Sequence, residues 1–240
     1  MRRVEALVEG QTEFRFVEEL LAPHLIGHGV HLWPILSGKP GRRSGGVRKW
    51  TEARQDILRS LHNSSRHSTT LMVDYYGMPD DWPGREASCV LQGEGKALAV
   101  ENAIRQDIEQ EFPGGMKPVS FLPYVQLHEF EALLFAGESE LSKALVGLNP
   151  DASQQSLQEQ FSRINAAFPS PEMINDDPAT SPSHRIKDLV RIYKKPLIGA
   201  TVATEIGIAR LRACCPHFAR WLGQLEQLGE AFSMNKGPGF

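Results

Sequence analysis

Over its first 135 residues the chain switches repeatedly between two kinds of hydrophobic pattern. Apolar runs of strand length stand at 2–8 (RRVEALV), 30–36 (VHLWPIL), 69–73 (TTLMV) and 118–126 (PVSFLPYVQ). Between them, apolar residues recur at spacings of three and four, which marks one face of a helix. Phe14, Val17, Leu21 and Leu25 follow the first run in this way, and Ala97, Val100, Ile104 and Ile108 precede the last. Residues 47–62 and the segment HEFEALLF at 128–135 also read as helices. Such alternation leaves few solutions. Each helix carries the chain back to the edge where the next strand starts, which gives a mostly parallel sheet flanked by helices. The expected fold class is α/β. Thr12 is the expected cap of a first helix running from Glu13 to about Gly27, and Pro34 suits an edge strand.

From about residue 138 the strand signals stop. Residues 153–168, 181–194, 201–213 and 215–229 favour helix, with the proline-rich PSPEMINDDPATSP as a connector. The expected division is an α/β core over 1–137 and a helical C-terminal subdomain over 138–240 packed on it. Trp221, Leu222, Leu225 and Leu228 give that subdomain an apolar face suited to the sheet or to a subunit interface, so an oligomer is within its reach. No run of about 18 apolar residues occurs, so no membrane span is expected. Three cysteines without a CxxC pair fit neither a cysteine-based zinc site nor a disulfide scaffold, and point to a reducing cytoplasm. The net charge of −3 means that any surface for nucleic acid must be local.

The polar residues that stand out are carboxylates at the ends of the apolar runs. Glu9 follows the first run, beside Gly10, where the chain turns into a helix. Open α/β sheets place their ligands at the carboxyl ends of strands. Glu13 lies four residues on and shares that side of the helix. Asp74 ends TTLMVD, the most apolar strand, where a charge needs a partner. Glu129 and Glu131 follow the fourth run. Two residues apart on a helix, they cannot share a face, so one is expected to point at the site and the other to support it. We assign Glu9, Glu13, Asp74 and Glu129 as candidate metal ligands and Glu9, Asp74 and Glu131 as candidate catalytic groups. Asp80 and Asp81 read as solvated loop residues, and His128 ranks below the glutamates. Hard oxygen donors select Mg²⁺ or Mn²⁺ over zinc, and such an ion suits phosphodiester hydrolysis.

Basic residues surround these elements. Arg42, Arg43 and Arg48 lie in or after the glycine-rich loop 37–46, where they are expected to follow a phosphate backbone. Lys187, Lys194 and Lys195 form a second set toward YKKPLIG. The GKPG stretch lacks the G-x-x-x-x-G-K-[ST] pattern of a nucleotide-binding loop, and no G-x-S-x-G nucleophile elbow is present.

The strand–EGQTE–helix opening, the strand-terminal Asp74 and the later E-x-E element resemble a Toprim domain, the unit of topoisomerases, primases and the nucleases of the overcoming-lysogenization-defect group. More closely, VEGQTE (8–13), LMVDYYGMP (71–79), PYVQLHEFEALLF (123–135), PEMIND (171–176) and SHRIKDL with YKK (183–195) resemble an uncharacterised Toprim-related bacterial family. The resemblance implies a Toprim-like sheet holding Mg²⁺ through the acidic residues, with Glu9 as ligand or general acid/base. It implies a metal-dependent nuclease, the effector subunit of an anti-phage defence system, working beside a separate ABC- or SMC-like ATPase. The alternative is a non-catalytic Toprim-like module that binds nucleic acid or that ATPase. Toprim domains carry D-x-D after the third strand. Here the match is Asp74-Tyr75-Tyr76, with Tyr76 in place of the second aspartate.

Overall fold

The computed structural model describes residues 1–37, 47–62, 67–112, 114–115, 121–148, 152–174, 177, 179–193 and 195–234, with the side chains of 195–197 and 231–234 left aside. Four strands, β1 (Arg2–Val8), β2 (Val30–Leu36), β3 (His67–Asp74) and β4 (Phe121–Gln126), form one sheet in the order β2-β1-β3-β4. All three pairings are parallel. β2 and β4 are the edges, so Pro34 and Pro123 sit where a missing N–H is tolerated. The α/β class expected from the alternation is the class observed.

The β1–β2 connection is one continuous helical stretch: α1 (Gln11–Phe16), a π-helical turn (Val17–Leu21) and α2 (Ala22–Ile26). It starts two residues earlier than expected. Gly10 occupies the cap position and Thr12 is buried inside the first turn, so Thr12 is not the cap. α3 (Trp50–His62) connects β2 to β3, and α4 (Arg85–Ser88) and α5 (Glu94–Glu109) connect β3 to β4.

Strand alternation sorts the side chains into two apolar layers. Val4, Ala6, Val8, Met72, Leu122 and Tyr124 face one layer with Phe16, Val17, Leu21 and Leu25. Leu7, Leu71, Val73, Phe121 and Val125 face the other with Trp50, Ile57, Ala97, Val100, Ile104 and Ile108. Each large apolar side chain removed from water in this way contributes about 1.5–3 kcal/mol.

The rest of the chain is helical: α6 (Glu131–Leu134), α7 (Glu138–Val146), α8 (Gln154–Ala166), a 3₁₀ turn (Pro171–Met173), α9 (Pro182–Leu189), α10 (Lys195–Cys214, broken at Gly207) and α11 (Pro216–Met234). α6 is one turn, where the sequence suggests eight helical residues, and α7 carries no counterpart among the expected helices. Leu141, Leu145, Phe161, Ile186, Val202, Phe218, Trp221 and Leu225 join the same apolar layer as Phe16 and Val4, so these helices cover one face of the sheet. Among the described residues no helix is long and apolar enough to cross a membrane. All three cysteines are free thiols.

Candidate metal centre at the carboxyl edge of the sheet

The strand order sets the position of the site. From β1 the chain crosses to β2 on one side, then passes back over β1 to β3 on the other. The carboxyl ends of β1 and β3 therefore form the switch point of the sheet, where the crossovers diverge and leave a crevice. Glu9 is the first residue after β1, and Asp74 is the last of β3. The two meet there: the Asp74 N–H donates to Glu9 Oε2 at 3.3 Å. Asp74 is buried, and Glu9 is half-buried and lines a small cleft of about 20 Å³ with Val47, Arg48 and Trp82.

Glu13 folds back over the β1–α1 turn and is buried. A Cβ at position 10 would lie 2.9 Å from Glu13 Oε2, so the glycine leaves room for that carboxylate. On the other side, the β3–β4 pairing continues past the strand ends. Tyr75 N–H donates to Gln126 O at 2.9 Å and Tyr76 N–H to His128 O at 2.7 Å. This draws the segment after β4 alongside Asp74. His128 is the only described non-glycine residue with a positive φ, at 64°. Left-handed backbone of this kind reverses the direction of the chain within one residue.

Beyond that reversal the two glutamates part. Glu129 accepts from the Ser183 N–H at 2.8 Å and from Ser183 Oγ at 3.0 Å. Both its oxygens serve the first turn of α9, as a helix cap does. Glu131 is buried and accepts from the Tyr193 hydroxyl at 3.3 Å. Among the described residues, the one trio of histidine, cysteine or carboxylate ligands whose atoms lie within 4.8 Å of one another is His24, His28 and Glu226, at the far side of the fold. Glu9, Glu13, Asp74 and Glu131 thus do not form a protein-only cage. Mg²⁺ seldom requires one, because it keeps several waters and takes one or two carboxylates. Glu9, whose carboxylate accepts from the Asp74 backbone N–H, and the buried Asp74 both offer the oxygen donors that such an ion takes.

The basic residues divide. Arg48, just before α3, pairs with Glu52 at 3.1 Å and with Asp56, both on that helix. Lys187 is exposed on α9. Arg42, Arg43, Lys194 and the Lys195 side chain lie outside the described residues. Asp81, expected to be a solvated loop residue, accepts from the Trp50 N–H at 3.0 Å and caps α3.

A second polar cluster has no counterpart in the sequence analysis. His217, in the first turn of α11, is buried with Nδ1 3.0 Å from Glu94 Oε1 and Nε2 2.9 Å from Glu101 Oε1. Its ring stacks on Tyr124 at 5.1 Å. Burial alone would lower its pKa, but the hydrogen bonds and charges of Glu101 and Glu94 outweigh burial and raise it. Imidazolium is the form that donates to both carboxylates. Glu172 accepts from the N–H groups of His217 and Phe218 at 2.9 Å each, and burial pushes its pKa up. Glu94 and His217 are 123 positions apart, so no local pattern announces the pair. The cluster secures the start of α11 against α5.

No curated protein matches the chain. Among solved structures, the C-terminal region of the Burkholderia pseudomallei OLD protein is 16% identical, covering 94% of this chain and 98% of that one, with a TM-score of 0.48. The C-terminal region of the Xanthomonas campestris pv. campestris OLD protein is 12% identical, covering 98% of both chains, with a TM-score of 0.47. The family model described as Domain of unknown function (DUF4276) matches residues 8–226, and the chain belongs to that family.

Proposed function

We propose that the chain is a metal-dependent nuclease whose site lies at the carboxyl ends of β1 and β3. One observation carries this reading. Glu9 and Asp74, from neighbouring parallel strands, meet at the topological switch point through the 3.3 Å contact between the Asp74 N–H and Glu9 Oε2. Charges at the end of a buried strand cost stability unless they have work there. Glu9 and Asp74 would hold Mg²⁺ or Mn²⁺, with Glu13 and Glu131 around them. When bound, the ion supplies the charge that stabilises a leaving oxygen and lowers the pKa of water. The protein's own part is to fix the donors. The backbone N–H of Asp74 orients Glu9, and the Tyr193 hydroxyl orients Glu131. Glu9 lines a small cleft with Arg48 and Trp82, and a phosphodiester would approach it from that side. Lys187 on the exposed side of α9, with Arg42, Arg43, Lys194 and Lys195, would supply phosphate contacts. The anti-phage setting and a separate ABC- or SMC-like ATPase partner follow from the Toprim resemblance alone.

A second reading is a non-catalytic module that binds nucleic acid or the ATPase. It is favoured by Tyr76 in place of a second aspartate and by the Ser183 contacts that occupy both oxygens of Glu129. The test is cleavage of labelled DNA and RNA by the purified chain with EDTA, Mg²⁺ or Mn²⁺, beside Glu9→Gln and Asp74→Asn. Metal-dependent cutting that both substitutions abolish, with unfolding temperatures unchanged, is the expected result. Nucleic-acid binding without cutting under every metal condition selects the second reading. Cutting that survives both substitutions removes the site assignment.

A further inference from the structure

We infer that His24, His28 and Glu226 form a transition-metal site, of the kind that takes Zn²⁺, joining the end of α2 to α11. Their candidate ligand atoms all lie within 4.8 Å of one another. His24 Nε2 is 2.7 Å from Glu226 Oε1, and His28 Nε2 is 3.6 Å from the same oxygen. The two rings lie side by side, with centroids 4.8 Å apart. Atoms bound to one tetrahedral zinc stand about 3.3 Å apart, given bonds of about 2.0–2.1 Å. The three atoms therefore need movements of about 1 Å or less, which half-exposed imidazoles make by small rotations.

The chain builds this arrangement deliberately in its backbone. His24 lies in the last turn of α2 and His28 in the turn just beyond its Gly27 cap, which brings the two rings side by side. Glu226 comes from α11, one turn before Gly229. At Gly229 a Cβ would lie 1.8 Å from the His28 carbonyl oxygen. Only a glycine lets α11 approach the end of α2 so closely, and that approach brings Glu226 onto the histidine pair. Imidazole and carboxylate donors suit Zn²⁺ and its neighbours, not Mg²⁺. Arg212, 42% exposed, also binds Glu226 Oε1 and is the cation that a metal would have to displace. The site lies beyond the amino ends of the strands, since α2 leads into β2 at Val30 and Gly29 O accepts from the Arg2 N–H. It is separated from Glu9 and Asp74 by the seven-residue length of β1, about 20 Å at roughly 3.3 Å per residue. The two sites can therefore fail or hold independently.

The experiment is titration of the full, EDTA-stripped chain with Co²⁺, followed by absorption spectroscopy and displacement by Zn²⁺, in the presence of excess Mg²⁺. The expected result is one equivalent bound per chain with a tetrahedral spectrum, a higher unfolding temperature with Zn²⁺, and loss of both in His28→Ala and Glu226→Gln. His28 is exposed in the turn after α2, so His28→Ala keeps the test informative should Glu226→Gln fail to fold. Arg212→Ala is expected to tighten binding, and Asp74→Asn to leave it unchanged. Absence of stoichiometric binding in the folded wild type overturns the site, as does binding that persists in His28→Ala.

Discussion

Gly229 allows a test in which two effects of one substitution carry opposite signs. Replacing a helix-interior glycine by alanine gains about 0.8–1.0 kcal/mol of helix propensity. At Gly223, on the same helix α11, a Cβ would meet nothing within 4 Å, so Gly223→Ala is expected to stabilise by up to about 1 kcal/mol. At Gly229 the new Cβ would stand 1.8 Å from His28 O, whereas real contacts essentially never fall below 3.0 Å. The two backbones must then separate by more than 1 Å along a buried seam. Overpacking costs typically about 1–3 kcal/mol, and a clash between two backbones belongs at the upper end. Set against the propensity gain, the net loss for Gly229→Ala is about 2 kcal/mol, or roughly 4–8 °C in Tm for a chain of this size. Urea unfolding followed by far-ultraviolet circular dichroism measures both variants on the same scale. Gly229→Ala as stable as wild type, or more so, would refute the close approach of α11 to the end of α2.

Other expectations are direct. Glu129→Ala removes both acceptors from Ser183 at the start of α9, and should lower stability by roughly 1–3 kcal/mol while leaving the Mg²⁺ response intact. Calorimetric melting with and without Mg²⁺ checks this, and an unchanged Tm with a lost metal response would return Glu129 to the ligand set. His217 has a raised folded pKa, so its ion pairs with Glu101 and Glu94 contribute fully below the ordinary histidine value of about 6.5 and are lost as pH rises through the raised value. Urea midpoints between about pH 6 and 9 should fall in wild type, and the fall should shrink in His217→Gln. His128→Val places a β-branched residue at φ 64° and should cost about 1–3 kcal/mol, whereas His128→Gly leaves the backbone unstrained. Equal melting temperatures for these two variants would remove the left-handed turn from the account of the site.

Periodicity carries the fold because the core is made from it. Ala97, Val100, Ile104 and Ile108 stand on one side of a helix in sequence and are all buried in one layer of the structure. The four apolar runs become four parallel strands for the same reason. Local signals fail where tertiary partners decide. Thr12 is a good cap by composition, yet it is buried against the rest of the fold, and Gly10 takes its place. The end positions of Glu9 and Asp74 follow from strand boundaries and are legible in sequence. The fate of Glu129 depends on Ser183, 54 residues away, and that of Arg48 on acids presented by the next helix. His217 and its carboxylates, like Glu226 and the histidine pair, come together only when α11 docks.

The bond from Trp221 Nε1 to Thr70 Oγ1, at 2.9 Å, spans 151 residues, and the same indole stacks on Tyr124 at 4.4 Å. The first partners are translated early and their cover last. Chains emerge at about 5–20 residues per second, so the interval between the end of β4 and the end of α11 lasts about 5–20 s. Throughout it, the face of the sheet bearing Val4, Ala6, Met72, Leu122 and Tyr124 lacks its final layer. A shortened chain ending before Pro216 is expected to keep that face uncovered and to aggregate.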